Sequence, residues 1–195
     1  MTQNKTRMED LRVRRTRQSL QNAFIELTIE KNFSSVTIAD ITERAMVNRA
    51  TFYRHFQDKY DLLDKYMEDL YHLLDSPEAT SPEAQDSPPA GLVQMMEHLQ
   101  AHADFYRSML GPQGYLPFAE KLRGYIERRI GHSLAADSSM QRPGQPPLGM
   151  ILSSISNAAL GSIRWWLEND TPYTPLQMAK WSVQFSTVYL KFAAD

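Results

Sequence analysis

The chain of 195 residues has no cysteine. Disulfide bonds, thiolate metal sites and catalysis by a thiol are therefore excluded. No uninterrupted apolar run approaches the length of a membrane span, and no apolar stretch with a small-residue cleavage site follows the N-terminus, so we expect neither an anchor nor a secretory signal. The sequence also lacks a glycine-rich phosphate loop and a nucleophile elbow. These absences favour a water-soluble cytoplasmic protein that is not an enzyme and carries no metal or cofactor.

The charges are distributed unevenly along the chain. Residues 1–60 hold 11 lysines and arginines against 7 acidic residues, whereas residues 61–195 hold 10 against 16. The N-terminal part therefore has a net charge of +4 and the remainder −6. This asymmetry suggests that the N-terminal part meets a polyanion, although a short basic cluster can also be an ordinary solvated terminus. The cluster consists of Lys5, Arg7, Arg12, Arg14, Arg15 and Arg17.

Apolar residues recur at a spacing of three to four almost throughout the chain, and no run alternates as a strand would. The sequence therefore predicts an all-α fold of about nine helices. Residues 76–90 and 137–147 are rich in proline, serine and small residues, which predicts loops. We expect an N-terminal helix-turn-helix domain over residues 1–60 and a C-terminal helical domain over residues 61–195.

The N-terminal domain carries clear signals for the starts of its helices. A first helix is expected from about residue 10 to residue 31. Thr37 with Asp40 three residues later is typical of a capping box, and Asn48 is a good N-cap for a helix over residues 49–56. Two short helices separated by about three residues predict a helix-turn-helix.

The helix over residues 49–56 has residue types that suit DNA. Phe52 and Phe56 share a face and can anchor the helix in a core. Among the remaining residues, arginine can donate two hydrogen bonds to the edge of a guanine, and alanine and the threonine methyl group can contact a thymine methyl group. Threonine, tyrosine and histidine can donate hydrogen bonds to phosphates. An ordinary surface helix is the alternative. The candidate DNA-binding residues are Asn48, Arg49, Ala50, Thr51, Tyr53, Arg54 and His55, and Thr37 and Lys59 at neighbouring helix starts are further candidates for phosphate contacts.

These segments resemble the DNA-binding domain of the tetracycline-repressor (TetR/AcrR) family of bacterial regulators. The resemblance covers about residues 10–65 and is carried by Thr37-Ile38-Ala39-Asp40-Ile41, by Ala45 through Phe56, and by Asp58-Lys59-Tyr60-Asp61-Leu62-Leu63. The sequence departs from the family pattern at three positions, since Met46, Asn48 and Ala50 stand where glycine, serine and glycine are common.

The resemblance implies how the protein works. Thr37, Thr51, Tyr53, His55 and Lys59 would contact phosphates, Arg49, Ala50 and Arg54 would lie near bases, and Asn48 would cap the recognition helix. It further implies a repressor that binds a palindromic DNA operator as a homodimer, in which a small-molecule effector changes the separation of the DNA-binding domains. The dimer would form through the last two helices, which are apolar on more than one face. We expect its interface to include Leu152, Ile155, Ala159, Ile163, Trp181, Phe185 and Tyr189.

The effector pocket has no motif of its own in the sequence. Aromatic and methionine side chains of the C-terminal domain are candidates for lining it, with ordinary core packing as the alternative. They are Phe105, Tyr106, Met109, Tyr125, Trp165 and Trp166.

Two other kinds of function compete with DNA binding. His98 and His102, four residues apart on a helix, could bind a metal in an enzyme, but a third ligand is not evident in the sequence. A helical module whose basic N-terminus binds a membrane or an acidic protein is the second alternative, although the first helix is not strongly amphipathic.

Overall fold

The computed structural model describes residues 2–74, 87–134 and 146–194. Over these residues the fold is all-α, with nine α-helices, as the spacing of apolar residues predicts. The bounds are α1 Thr2–Lys31, α2 Ile38–Arg44, α3 Arg49–His55, α4 Lys59–Leu74, α5 Ala90–Ala101, α6 Ala103–Leu110, α7 Leu116–Leu134, α8 Leu148–Glu168 and α9 Pro175–Ala194, with a 3-10 turn at Phe33–Ser35. The two predicted loops lie largely outside the described residues.

The first helix differs from its prediction, because α1 begins at Thr2 and not near residue 10. Its early turns are rich in charged and polar residues and have no apolar stripe, so periodicity could not reveal them. Arg12, Arg14 and Arg15 are exposed, and from residue 11 onward the first fully buried side chain is that of Leu20.

The core of the N-terminal unit is apolar and aromatic. Phe24 of α1 meets Phe33 edge to face, with ring centroids 5.9 Å apart. Ile41 of α2, Phe52 of α3 and Leu62 of α4 are completely buried. Each short helix therefore contributes an apolar anchor, and this burial stabilises helices that are too short to persist alone.

Polar contacts fix the start and the orientation of α2. Thr37 and Asp40 form the predicted capping box: the Thr37 Oγ1 accepts a hydrogen bond from the Asp40 N–H, and the Asp40 carboxylate accepts one from the Thr37 N–H. The Arg44 guanidinium pairs with Glu26 at 3.2 Å and with Glu30 at 2.7 Å, which joins the end of α2 to α1. These half-exposed pairs orient α2 more than they stabilise it.

The chain divides into two compact units at residues 72 and 73, within α4, whereas the predicted boundary is at residue 60. Most of α4, up to His72, belongs to the N-terminal unit, and side chains along it bond to α1 and α3. The Asp69 carboxylate accepts hydrogen bonds from Arg17 and Gln21, and Lys65 donates to the His55 carbonyl at the end of α3.

The C-terminal unit is a layered helical domain in which α7 packs on α8 and α5 packs on α9. Trp166 is fully buried, and its indole N–H donates to the Tyr173 carbonyl at 3.0 Å. Arg107 of α6 donates to the Leu167 carbonyl at the end of α8, which links these two helices. Among the described residues, none of the helices combines the length and the apolar character needed to span a membrane.

Candidate nucleic-acid interface

Helix α3 has one buried face and one exposed face. Phe52 and Phe56 are 0% and 1% exposed, so they fix the helix against the core of its unit. The other face consists of Arg49, Ala50, Tyr53 and Arg54, which are all exposed. Each of these four residues is a candidate DNA contact from the sequence, and the fold brings them together on one surface.

The start of α3 is held in the way the sequence predicts. The Asn48 side-chain carbonyl accepts a hydrogen bond from the Thr51 N–H at 2.8 Å, so Asn48 caps the helix. The Thr51 hydroxyl oxygen in turn accepts from the Arg54 guanidinium at 3.1 Å. Thr51 therefore positions Arg54 along the exposed face, and this bond uses only one of the five N–H donors of the guanidinium group.

His55 lies at the end of α3, half-buried beside basic side chains. Burial lowers the pKa of His55, and the positive charges of Arg54, Arg17 and Lys65 lower it further. The imidazole is therefore neutral at pH 7 and offers one N–H donor.

Thr37 and Lys59 are placed differently from the rest of the predicted set, because their donors are used within the chain. The Thr37 hydroxyl donates to the Asp40 carboxylate at 2.6 Å. The Lys59 ammonium donates to the carbonyls of Phe33, Ser34 and Val36 at 2.9, 3.1 and 2.9 Å. An ammonium group has three donors, so this geometry occupies all of them. Burial lowers the pKa of Lys59.

Two residues that were not among the predicted contacts hold the end of α3. Lys65 donates to the His55 carbonyl at 3.0 Å and to the Asp61 carboxylate at 2.9 Å. The same carboxylate accepts from the Gln57 N–H at 2.7 Å. Burial opposes ionisation of Asp61, but the hydrogen bonds from Gln57 and Lys65 outweigh it and the pKa of Asp61 is lowered. The spacing of Asp61 and Lys65 on one helix was the available signal.

Comparison with known protein families gives two matches. A model described as bacterial regulatory proteins of the tetR family matches residues 22–66, which contain α2, α3 and the turn between them. A model described as a transcriptional regulator C-terminal region matches residues 86–187, more than half of the chain. The chain belongs to the TetR family of bacterial transcriptional regulators. The resemblance identified from the sequence is thereby confirmed.

One curated relative matches this TetR-family chain over its N-terminal part. An uncharacterised HTH-type transcriptional regulator, YxbF, of Bacillus subtilis (strain 168) is 45% identical over 60 residues. These residues are 30% of this chain and 16% of the relative, so the chain spans only a small part of that protein's length.

Solved structures resemble the chain over nearly its whole length. The dihydroxyacetone kinase operon activator DhaS has a TM-score of 0.64 at 15% identity, covering 92% of this chain and 98% of its own. A TetR transcriptional regulator from Streptococcus agalactiae 2603V has a TM-score of 0.63 at 23% identity, covering 93% and 98%. At these identities the structures show a shared fold.

The C-terminal unit of this TetR-family chain contains an apolar cavity of about 310 Å³. Helices α5, α7, α8 and α9 surround it. Its lining includes Leu92, Met95 and Met96 of α5, Tyr125, Ile126, Arg129 and Ile130 of α7, Ile163 of α8, and Ser182, Ser186 and Thr187 of α9. This volume is at the small end of the range for ligand sites, about 300–1,000 Å³.

Of the six predicted pocket residues, only Tyr125 lines this cavity. Phe105, Tyr106, Met109 and Trp166 are at most 1% exposed and pack in the core, which was the alternative interpretation. Trp165 is 49% exposed and stacks on Tyr173, with ring centroids 6.3 Å apart. The aromatic character of these residues therefore did not distinguish a pocket from a core.

The predicted dimer residues fall into two groups. Ile155 and Ile163 are buried within the unit itself, whereas Phe185 is 57% exposed and Leu152, Ala159 and Trp181 are half-buried. The side chain of Tyr189 lies outside the described residues. A concavity of about 490 Å³ runs between α8 and α9, and small residues such as Ala158, Ser162 and Ser182 line it beside Phe185 and Val188.

His98 and His102 lie close together, with ring centroids 4.5 Å apart. Burial lowers the pKa of His98 to about 4, and the neighbouring His102 contributes to this shift. In the parts of the chain that the structure describes, these histidines do not join any group of three or more potential metal ligands.

Proposed function

We propose that this regulator is a homodimeric repressor that binds a palindromic DNA operator and releases it when a small molecule occupies the C-terminal cavity. The observation that carries DNA binding is the exposed surface of α3. Arg49, Ala50, Tyr53 and Arg54 face solvent together, on a helix whose apolar side chains anchor it from behind. Arginine reads guanine edges, an alanine methyl group fits a thymine methyl group, and a tyrosine hydroxyl donates to phosphate.

A second copy of the chain supplies the symmetry that a palindromic site requires. Phe185 and Val188 on α9 are 57% and 64% exposed, next to the concavity between α8 and α9. Two exposed apolar side chains of this size, three residues apart on α9, favour burial against a partner. In the dimer, the two α3 helices would enter successive major grooves, about 34–36 Å apart.

Helix α9 supports a response to a ligand, because it borders both concavities. Ser182 and Ser186 line the cavity and the groove beside Phe185. A ligand that prefers one position of α9 would therefore bias the arrangement of the dimer and the spacing of the two DNA-binding units. Repression then requires only that the bound dimer exclude polymerase, and the site of action is the cytoplasm, where bacterial DNA is found.

The DNA-binding part is tested by fluorescence anisotropy on labelled duplexes tiled across the region upstream of the gene, with random DNA as the control. Wild-type protein should bind one palindromic site tightly, and log K should fall linearly with log salt. Arg49→Ala should relax sequence preference, whereas Tyr53→Phe should weaken binding to specific and random DNA alike. Wild-type binding that never exceeds that to random DNA would reject the proposal.

The ligand-responsive part is tested with the same complex. Small apolar compounds are screened for release of the labelled operator, and active compounds are repeated on Leu92→Trp, which fills part of the cavity. The variant should bind the operator as before and resist release. Release that Leu92→Trp leaves unchanged would show that this cavity is not the effector site. A reporter fused to the target promoter distinguishes repression from activation.

A further inference from the structure

The turn between α2 and α3 contains a residue whose conformation and exposure are both unusual. Met46 has a φ of 54°, in the left-handed region that residues with a side chain rarely adopt. Its side chain is 91% exposed, the highest value among the large apolar residues that the structure describes. A long apolar side chain is thus held in a costly backbone conformation without burial to compensate for it.

Hydrogen bonds of the turn impose this conformation. The Met46 N–H donates to the Glu43 carbonyl at 3.0 Å, and the Val47 N–H donates to the Thr42 carbonyl at 3.0 Å. This is a Schellman motif, in which the residue just after the helix cap takes the left-handed conformation and is usually glycine. A glycine at position 46 would satisfy the same hydrogen bonds without the steric cost of a Cβ atom.

Folding therefore does not account for a methionine at this position. The side chain contributes little to the core, and the backbone would be better served by glycine, which is common at this position of the family pattern. The remaining physical reason for an apolar side chain at this position is contact with another molecule. Met46 lies two residues before Asn48, the cap of α3, and three before Arg49.

Its place in the turn determines what Met46 can reach. Three residues span at most about 11 Å along an extended chain, so Met46 lies within the width of one major groove, about 12 Å, of Arg49. The major groove has one prominent apolar feature, the 5-methyl group of thymine. Methionine is flexible and polarisable, so it can follow such a group.

We propose that Met46 is a specificity-determining DNA contact, which packs against the 5-methyl group of a thymine beside the base pairs that Arg49 and Ala50 face. This proposal rests on the proposed DNA-binding function. It adds a residue of the turn to the recognition surface and predicts a thymine at one position in each half-site. The contact requires no hydrogen bond, so it should be detectable as a loss of DNA affinity when the thymine methyl group is removed.

The test begins with selection of binding sites from a random duplex library by the wild-type protein and by Met46→Gly. Wild-type protein should enrich a thymine at one position beside the base pairs that α3 contacts, and Met46→Gly should lose that preference. The thymine is then replaced by deoxyuridine, which lacks only the methyl group. Wild-type affinity should fall about fourfold per half-site, the value expected for one buried methyl-sized group, whereas Met46→Gly should bind both duplexes equally.

Two further variants are controls. Met46→Leu retains an apolar side chain and should keep the sensitivity to deoxyuridine. Leu116→Ala removes a 70% exposed apolar side chain from the C-terminal unit and should behave as wild type. Met46→Gly should unfold at the same or a higher temperature than the wild type, which excludes misfolding as the cause of weaker binding.

Several outcomes would overturn the proposal. A wild-type selection without a preferred thymine, or equal wild-type affinity for thymine and deoxyuridine, would show that there is no methyl contact. A Met46→Gly variant as sensitive to deoxyuridine as the wild type would assign the contact to another residue. A wild-type protein that enriches no sequence would instead reject the proposed function, and the Met46 contact with it.

Discussion

Replacing Lys59 distinguishes the two roles that the sequence and the structure suggest for it. The sequence and the family resemblance predict a phosphate contact. In the structure, the ammonium group donates to the carbonyls of Phe33, Ser34 and Val36 and lies 4.7 Å from the centre of the Phe33 ring. We expect Lys59 to act as a positioning residue, which ties the start of α4 to the segment between α1 and α2.

The size of the effect follows from these contacts. A hydrogen bond to a charged group contributes about 1.5–3 kcal/mol to stability. The three bonds of Lys59 do not add fully, because the site is half-exposed and water replaces part of what is lost. We expect Lys59→Met to lower the free energy of unfolding of the N-terminal unit by about 2–3 kcal/mol. Amides of α3 that exchange through unfolding of this unit should then exchange about 30 to 150 times faster.

Lys59→Arg is the decisive companion variant, because it keeps the positive charge. A planar guanidinium cannot direct its donors to three converging carbonyls, so this variant should also exchange faster than the wild type. Hydrogen exchange measured by mass spectrometry on peptides of α3 gives the readout. Lys180→Met, which removes an exposed lysine of α9, is the control and should exchange as the wild type does.

The phosphate role makes the opposite predictions. Lys59→Arg would exchange and bind DNA like the wild type, and Lys59→Met would lower the slope of log affinity against log salt by about one per protomer without changing hydrogen exchange. That combination would refute the positioning role of Lys59.

Three further predictions concern the dimer, the half-buried His98 and the cap of α3. Phe185→Glu should give monomers by sedimentation, because the side chain is exposed on the proposed interface, whereas a charge at the buried Ile155 should unfold the C-terminal unit; a dimeric Phe185→Glu would contradict this. Because the pKa of His98 is lowered to about 4, the unfolded chain takes up a proton below pH 6.5 that the folded chain excludes. The free energy of unfolding should therefore be highest above pH 6.5 and decrease toward pH 4, by at most about 3 kcal/mol and by less where water screens the ring. The thermal unfolding of His98→Asn should lack this part of the pH dependence. Asn48→Ala should lower the free energy of unfolding by about 1 kcal/mol, while Asn48→Ser, which retains a capping oxygen, should unfold like the wild type.

The sequence was sufficient for the elements that carry a local signal. The capping box of Thr37 and Asp40 and the cap at Asn48 are interactions over three residues, so their spacing predicts them directly. The spacing of four between Phe52 and Phe56 predicts that both are buried, and both are, although α3 ends at His55 and Phe56 is the extended residue just after it. Once the buried positions are known, the other residues of α3 are predicted to form its exposed face.

Long-range contacts were not predictable in the same way. The sequence shows that Lys59 has three donors, but not that three carbonyls from residues 33 to 36 converge on them. In the same way, nothing local indicates that Lys65 bonds to the end of α3. A lysine or arginine can be assigned as a phosphate contact only after the hydrogen bonds that it makes within the fold are known.

The two faces of α8 and α9 show the same limit for apolar residues. Both helices have apolar residues on more than one side, and a period of 3.6 residues assigns these residues to faces without saying which face meets the helix's own unit. The structure makes this assignment: Ile155 and Ile163 are buried by neighbouring helices, while Phe185 and Val188 remain exposed. A test of the dimer must therefore change residues of the second group, because a charge at one of the first would unfold the unit before it could report on association.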